Sequence, residues 1–227
     1  MSKFAKDPSI KVQVLSDENK IIISYNGIGM SEDEVIENIG TIARSGTASF
    51  LENITGDEKK DSNLIGQFGV GFYSVFMVAD KVQVISKSAL NDKDEGTFWE
   101  STGEDKYKIK SVEKINNGTE IHIFLNDDNT EFADIGRVRF LLEKYSQYIN
   151  FPLYISDGKE TNERVNEAEA LWLKSKRSIK DDEYKEFYNF ISFDQDDPLL
   201  WIHNKVEGKN EYTNLVYIPS KPPFDLW

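Results

Sequence analysis

The sequence contains no cysteine and only two histidines in its 227 residues. Disulfides, thiolate-bound zinc and a cysteine nucleophile are therefore excluded. Long apolar runs are also missing, since the longest, residues 72–79, is far too short to span a bilayer. Residues 1–10 are polar and lack the apolar centre of a signal peptide. We expect a soluble, unexported, cytoplasmic protein.

Basic residues are scarce relative to acidic ones. Lys and Arg number 27 and Asp and Glu number 40, which gives a formal net charge of −13. A phosphate backbone or an anionic bilayer would repel such a chain, so nucleic-acid and membrane partners are not expected. Apolar residues make up 39% of the sequence, enough for one large domain, or for one domain and part of another.

Apolar periodicity predicts the secondary structure. Residues 10–15 and 21–25 are typical of a β-hairpin, and Ser31 with Glu34 forms a capping box that begins a helix. The polar, weakly periodic residues 44–63 are typical of a lid or mobile loop. The dipeptide Asn117-Gly118 predicts a hairpin turn. Further strands are predicted at residues 81–88, 97–101, 107–112, 119–125 and 151–155, and helices at 72–79 and 132–149.

The most plausible domain boundary is a charged stretch, residues 156–170, which is poor in large apolar groups. It divides the chain into residues 1–155, a linker at 156–170, and residues 171–227. The last part carries a predicted helix at 181–191 and strands at 201–206 and 213–218. This part is short for an independent core.

Two glycine-rich turns are the features that point to chemistry. The first, Gly27 to Met30, lies between a predicted strand and a predicted helix; the second, Gly66 to Phe72, opens a predicted helix. Glycine lets backbone amides converge on an anion, and a helix N-terminus adds oriented donors, which suits a triphosphate. The spacing is neither a Rossmann fingerprint nor a P-loop. Taken alone, the second turn is a weak signal, because glycines before a helix more often serve plain turn chemistry.

Longer motifs in the same order make a family resemblance specific. Residues 26–47 read NGIGMSEDEVIENIGTIARSGT and residues 64–74 read LIGQFGVGFYS. Further motifs are FWES at 98–101, GTEI at 118–121, DEYKEFY at 182–188, VEGK at 206–209 and PPFDLW at 222–227. From about residue 10 onward the chain resembles the ninety-kilodalton heat-shock chaperone family, in its bacterial HtpG branch.

The resemblance implies an α+β fold, a two-layer α/β sandwich of the gyrase, histidine-kinase and MutL type, in which ATP lies under a lid. It also implies that this ATP-binding domain lacks its first strand and helix and precedes an incomplete α/β middle-domain segment. The implied partners are unfolded or partly folded clients. The family forms homodimers through a domain that is not found in this sequence.

Site residues on the sheet side follow from the same resemblance. Gly29 and Met30 would line the adenine side, Asn38 would approach the sugar or phosphates, and Thr119 would bind adenine from the sheet, directly or through water. Each has a plainer alternative: Met30 could fill the core, Asn38 could cap a turn, and Thr119 could be an ordinary strand residue.

The lid and phosphate side would be formed by the remaining family positions. Arg44 and Ser45 would lie at the lid hinge. The backbone amides that would hold phosphates belong to Gln67, Phe68, Gly69, Val70, Gly71 and Phe72.

The sequence departs from the family at Tyr25, where the family has the aspartate that accepts the adenine amino hydrogen. A phenol is uncharged and bulkier, and one unmade buried polar contact costs about 1–3 kcal/mol, so affinity should fall at least about tenfold. The family's water-activating glutamate and magnesium-holding asparagine lie on a helix that this sequence does not match. The middle-domain arginine is likewise unmatched. We therefore expect a chain without catalytic residues or a metal site of its own.

Three functions compete at this point. The first is a chaperone-family ATP-binding module, deficient in hydrolysis; the second is a non-catalytic remnant that binds no nucleotide. The third, a kinase-like member of the same superfamily, is disfavoured by the middle-domain motifs. If the sheet lacks a covering helix, strand residues 21–23 should be exposed and the protein should be marginally stable or self-associate.

Overall fold

The computed structural model describes residues 7–40, 71–104, 106–159, 162–167, 170–206 and 212–222. The chain divides into two compact units. The first takes in the described residues up to Gln147 together with Phe151–Asn166. The second takes in Tyr148–Asn150 and the described residues from Glu167 onward.

An eight-stranded mixed sheet forms the first unit, in the order β5-β4-β3-β6-β2-β1-β7-β8. All neighbours are antiparallel except β1 and β7, which run parallel. The strands are β1 (Ile10–Leu15), β2 (Lys20–Tyr25), β3 (Ala79–Lys87), β4 (Glu95–Ser101), β5 (Tyr107–Glu113), β6 (Gly118–Leu125), β7 (Leu153–Ser156) and β8 (Glu163–Arg164).

The helices of this unit pack on one face of the sheet, which confirms the expected two-layer α+β architecture. Those that pack there are α1 (Glu32–Asn38), α2 (Ile135–Ser146) and two 3-10 helices, Phe72–Met77 and Asp127–Ala133; a further 3-10 helix, Ser16–Glu18, joins β1 to β2 and buries no residue. Alternate strand residues point to the helices because side chains in a strand alternate between faces. One cross-strand row illustrates this core: Ile155, Val12, Ile23, Ile121, Val84, Trp99 and Ile109.

Several predictions about single elements were wrong. Residues 72–79 form a short 3-10 helix followed by the start of β3, not one helix. The helix predicted at 132–149 begins only at Ile135, where the Asp134 side chain accepts from the backbone N–H of Arg137 at 2.7 Å. Strand residues 21–23 were expected to be exposed. That prediction is wrong at Ile21, which is 9% exposed and lies in the core.

The predicted hairpin at Asn117-Gly118 was wrong as well. β5 pairs only with β4 at the sheet edge, whereas β6 lies between β2 and β3, so the dipeptide joins strands that are not neighbours. Its residues serve close packing instead. A Cβ at Gly118 would lie 2.2 Å from the carbonyl oxygen of Tyr25, and the Asn117 amide donates to the carbonyl of Gly27 at 2.7 Å.

The second unit has a small core. It contains a 3-10 helix (Leu171–Leu173), α3 (Asp181–Ser192) and the antiparallel pair β9 (Leu200–Val206) and β10 (Tyr212–Ile218). Leu171, Ile179 and Tyr184 are buried, with Phe187, Trp201, Leu215 and Tyr217 packed around them. In the parts of both units that the structure describes, no helix is long and apolar enough to cross a membrane.

Candidate functional site

Five hydroxyl side chains stand side by side on five neighbouring strands. They lie on the helix-covered face of the sheet, two residues along each strand from the apolar core row. They are nearer to the end of the sheet where β2 and β3 finish. We call this set the hydroxyl row. In spatial order its members are Tyr25, Thr119, Ser86, Thr97 and Ser111.

Ser86 joins the hydroxyl row to the first glycine-rich turn. Its hydroxyl accepts the backbone N–H of Met30 at 2.8 Å and lies 2.8 Å from the hydroxyl of Thr119. Ser86 is 0% and Thr119 2% exposed, so both hydroxyls make these bonds without competition from water. The turn is held further by the backbone N–H of Ala89, which donates to Ile28 at 2.7 Å. The sheet therefore fixes the position of Met30.

Gly29 is required by this packing. Its φ is +62°, and a Cβ there would lie 1.9 Å from the carbonyl oxygen of Lys87. Any side chain would meet both the strain of a left-handed conformation and a direct clash with the β3 backbone. The glycine thus lets the turn lie against the sheet beside the hydroxyl row.

Helix α1 follows the turn and places Asn38. The capping box predicted at Ser31 and Glu34 is present in full, because each side chain accepts the other residue's backbone N–H. Val35 is buried in the core and orients the helix. Asn38 lies in the last turn and is partly exposed, so its amide is accessible to solvent.

Tyr25 is one of the two exposed ends of the hydroxyl row, and Ser111 is the other. Tyr25 is 37% exposed, and its hydroxyl makes no hydrogen bond to any residue that the structure describes. It borders a cavity of about 200 Å³ whose lining also includes Lys11, Ser24 and Glu120 from the opposite face of the sheet. Ligand pockets usually hold about 300–1,000 Å³, so this space suits a single ring better than a whole nucleotide. The free phenol supplies one donor and one acceptor at that ring's edge.

A larger cavity of about 500 Å³ is lined by Met30, which is not among the residues that line the cavity beside Tyr25. The larger cavity is also lined by the carboxylates Glu32, Glu34 and Glu95 and by the hydroxyl-row members Thr97 and Ser111. Three carboxylates would repel a triphosphate, so the larger size of this cavity is not sufficient to assign it as the phosphate-binding site. Among the described ranges no group of three or more His, Asp or Glu side chains is arranged to hold a metal ion.

The structure brings some of the predicted site residues together. Gly29, Met30 and Thr119 meet through Ser86, and Asn38 lies one helix away. Gly71 precedes the 3-10 helix, where Phe72 packs edge-on against Trp99 with ring centres 5.7 Å apart. Outside the described residues lie Arg44, Ser45, Gln67, Phe68, Gly69 and Val70.

Ser86 itself was missed by the sequence reasoning. It lies within a strand pattern and carries no motif of its own. Only the register that sets β3 against β6 shows that it faces Thr119. A small hydroxyl residue among the apolar positions of a buried strand is the one signal that could have drawn attention to it.

Comparisons with known proteins agree with this geometry. Residues 2–128 match the family model described as histidine kinase-, DNA gyrase B- and HSP90-like ATPase, and residues 157–227 match the HSP90 protein model. The chain is 50% identical to the chaperone protein HtpG of Pectobacterium atrosepticum over 236 aligned residues, covering 99% of the chain and 38% of that protein. It is also 50% identical to HtpG of Salmonella paratyphi A and of Escherichia coli O139:H28, covering 97% of the chain and 37% of each.

The chain therefore spans a little over a third of the length of the curated relatives it matches. The mixed sheet with one helical layer is the fold expected of the first family model, which covers more than half of the sequence. This chain belongs to the histidine kinase-, DNA gyrase B- and HSP90-like ATPase family, in the HSP90 branch that includes bacterial HtpG.

Proposed function

We propose that this chain binds an adenine nucleotide as the nucleotide-binding part of an HSP90-type chaperone. The observation that carries the proposal is the Gly29-Met30 turn, held against the sheet by Ser86 beside the exposed phenol of Tyr25. A turn fixed in advance binds a ligand without a further ordering cost. The relatives are named as chaperones, so we extend the proposal to unfolded or partly folded clients in the cytoplasm.

Adenine would lie at the Tyr25 end of the hydroxyl row. The Tyr25 phenol would reach the polar edge of the ring from the smaller cavity, and Met30 would approach the ring from the larger one. Thr119 would act through Ser86, because its own hydroxyl is buried and already bonded. An uncharged phenol is a weaker partner for an amino group than a carboxylate, so we expect binding weaker than that of a family member with aspartate there.

The sugar and phosphates would extend from Met30 past Asn38 towards the second glycine-rich turn, which ends at Gly71 and Phe72. ATP supplies the bond whose hydrolysis drives the conformational cycle, and Mg²⁺ would neutralise its phosphates. The hydroxyl row and the Gly29-Met30 turn include no carboxylate that could activate water. We therefore include deficient hydrolysis in the proposal.

We also propose that the boundary between the nucleotide-binding and middle-domain parts lies in residues 156–170. Homodimerisation is proposed only for the longer protein architecture of the family.

A second candidate, a remnant that binds no nucleotide, is favoured by one observation. The cavity beside Tyr25 is about 200 Å³, and Thr119, which lines it, is only 2% exposed and has its hydroxyl bonded to Ser86. On this alternative Tyr25 fills the adenine position.

Isothermal calorimetry with ATP and Mg²⁺ separates the two candidates. Micromolar binding that becomes at least about tenfold tighter in Tyr25→Asp supports the proposal, because the new carboxylate restores a charged acceptor. Tyr145→Asp, at an exposed tyrosine on α2, is the matched control and should leave the affinity unchanged. No heat at millimolar ATP from either the unmodified chain or Tyr25→Asp would favour the remnant.

A further inference from the structure

The sheet face opposite the helices combines apolar and basic side chains in an otherwise acidic chain. The described helices of the first unit that contribute to its core pack on the other face, so none of these covers this one. We call it the lysine-rimmed face. Its apolar members are Ile22, Ile85, Phe98 and Phe124, and its lysines are Lys11, Lys20, Lys81, Lys108 and Lys110.

Strand register places the lysines at the rim and the apolar groups between them. One cross-strand row on this face reads Lys11, Ser24, Glu120, Ile85, Phe98 and Lys110. Lys11 on β1 and Lys110 on β5 are therefore five strand steps apart. At a spacing of about 4.8 Å per step, their attachment points are separated by about 24 Å.

Carboxylates on this face are already engaged. Glu100 accepts from Lys108 at 3.0 Å and from Gln83 at 2.8 Å, and Glu120 is paired with Lys114. They neutralise the middle of the face and leave its two ends positive.

Lys11 and Lys110 are the cations at those ends. Both are exposed, and neither forms an ion pair with a residue that the structure describes. The ammonium of Lys110 lies 4.8 Å from the ring centre of Phe98, and that of Lys81 lies 4.1 Å from the ring centre of Phe124. Both ammonium groups thus lie close to the apolar side chains that an arriving segment would contact.

We propose that the lysine-rimmed face binds an acidic polypeptide segment that also carries apolar side chains. The apolar members would bury the segment's apolar groups, and the rim lysines would pair with its carboxylates and set its direction. An extended segment of about seven residues is long enough to reach from Lys11 to Lys110. This surface meets the cavity beside Tyr25 at Lys11, which belongs to both, so the peptide is tested on the chain without added nucleotide.

The negative net charge of the chain favours the binding of a short acidic segment over that of a long polyanion. Charges are screened beyond about 8 Å at physiological ionic strength, so a short peptide responds to the nearby lysines. A nucleic acid or an anionic vesicle extends past the rim and meets the remainder of a chain of net charge −13.

Fluorescence anisotropy with a labelled ten-residue peptide that alternates Glu with Leu and Phe tests the proposal on the full chain. We expect saturable binding that weakens as salt rises from 50 to 300 mM. The double variant Lys11→Glu/Lys110→Glu should weaken binding at least about tenfold. The control Lys93→Glu/Lys144→Glu changes net charge equally at exposed lysines outside this face, and should stay within about twofold.

Four outcomes would overturn the proposal. They are no binding of the acidic peptide at millimolar concentration, equal losses in the two double variants, equal affinity for a peptide with Lys replacing Glu, and tighter binding of a single-stranded oligonucleotide or phosphatidylserine vesicles than of the peptide. Melting curves of both double variants that match the unmodified chain would show that an affinity loss does not reflect unfolding.

Discussion

The hydroxyls of Ser86 and Thr119 lie 2.8 Å apart inside the sheet, and Ser86 also accepts the backbone N–H of Met30. Replacing Ser86 with Ala leaves two buried polar groups without this partner. We expect a loss of about 1–3 kcal/mol in the free energy of unfolding, measured by urea denaturation. Ser111→Ala, at the exposed edge of the hydroxyl row, should change it by less than about 0.5 kcal/mol. Equal losses would contradict a special role for Ser86.

Gly29→Ala tests the close approach of the first glycine-rich turn to β3. The left-handed φ and the contact with the Lys87 carbonyl should together lower the free energy of unfolding by at least about 2 kcal/mol. Gly71→Ala is the control, because Gly71 has an ordinary helical conformation and no atom of a described residue lies within 4 Å of an added Cβ. Thermal melts of both variants provide the measurement. A Gly29→Ala melt as high as that of Gly71→Ala would show that the turn moves freely away from β3.

Glu120 should make stability depend on acidic pH. His122, whose Nε2 lies 3.6 Å away, and Lys114 outweigh the effect of burial and lower the pKa of Glu120 to about 2. A depressed carboxyl pKa contributes stability above the unfolded value near 4.5, and this contribution is lost as pH falls towards 2. Because the side chain is 40% exposed, solvent screening reduces the contribution to about 1 kcal/mol.

The corresponding variant is Glu120→Gln. At pH 7 the free energy of unfolding of this variant should be about 1 kcal/mol lower than that of the unmodified chain. This difference should vanish progressively between pH 4.5 and pH 2. Urea denaturation across this range provides the measurement. A deficit that stays constant with pH would mean that packing, not charge, is the source.

Tyr184 and His203 form the polar centre of the second unit. The Nε2–H of His203 donates to the carbonyl of Trp172 at 3.0 Å, so Nδ1 is the acceptor for the Tyr184 hydroxyl at 2.7 Å. Tyr184→Phe should lower the stability of this unit by about 1–2 kcal/mol. Tyr212→Phe, at an exposed tyrosine, should be neutral. Hydrogen exchange of the β9 and β10 amides reports on this unit separately from the first.

Local signals in the sequence predicted the elements better than the connections between them. The Ser31 capping box and the alternation of residues 10–15 were correct because both are decided within a few residues. The prediction from Asn117-Gly118 was wrong because the backbone conformations open to glycine suit either a tight hairpin turn or a close approach between two backbone segments. The choice between them depends on β2, about 90 positions away.

The candidate site shows the same limit. Gly29 and Met30 could be named from a motif, but the group that positions them is Ser86, more than fifty positions later. The exposure of Tyr25 and the burial of Thr119 depend on where each lies along a cross-strand row. Neither could be inferred before the strand order was known.

The parallel pairing of β1 with β7 sets Val12 opposite Ile155, about 140 residues apart. Folding rates fall as contacting residues lie farther apart along the chain, because a long loop must close before the contact forms. During synthesis, β1 and β2 can associate early, but β1 keeps one unpaired edge until the ribosome has released residue 156. An unpaired strand edge invites pairing with another chain. During its own synthesis, this member of a chaperone family would therefore expose an unpaired strand edge, which is the kind of surface that chaperones protect.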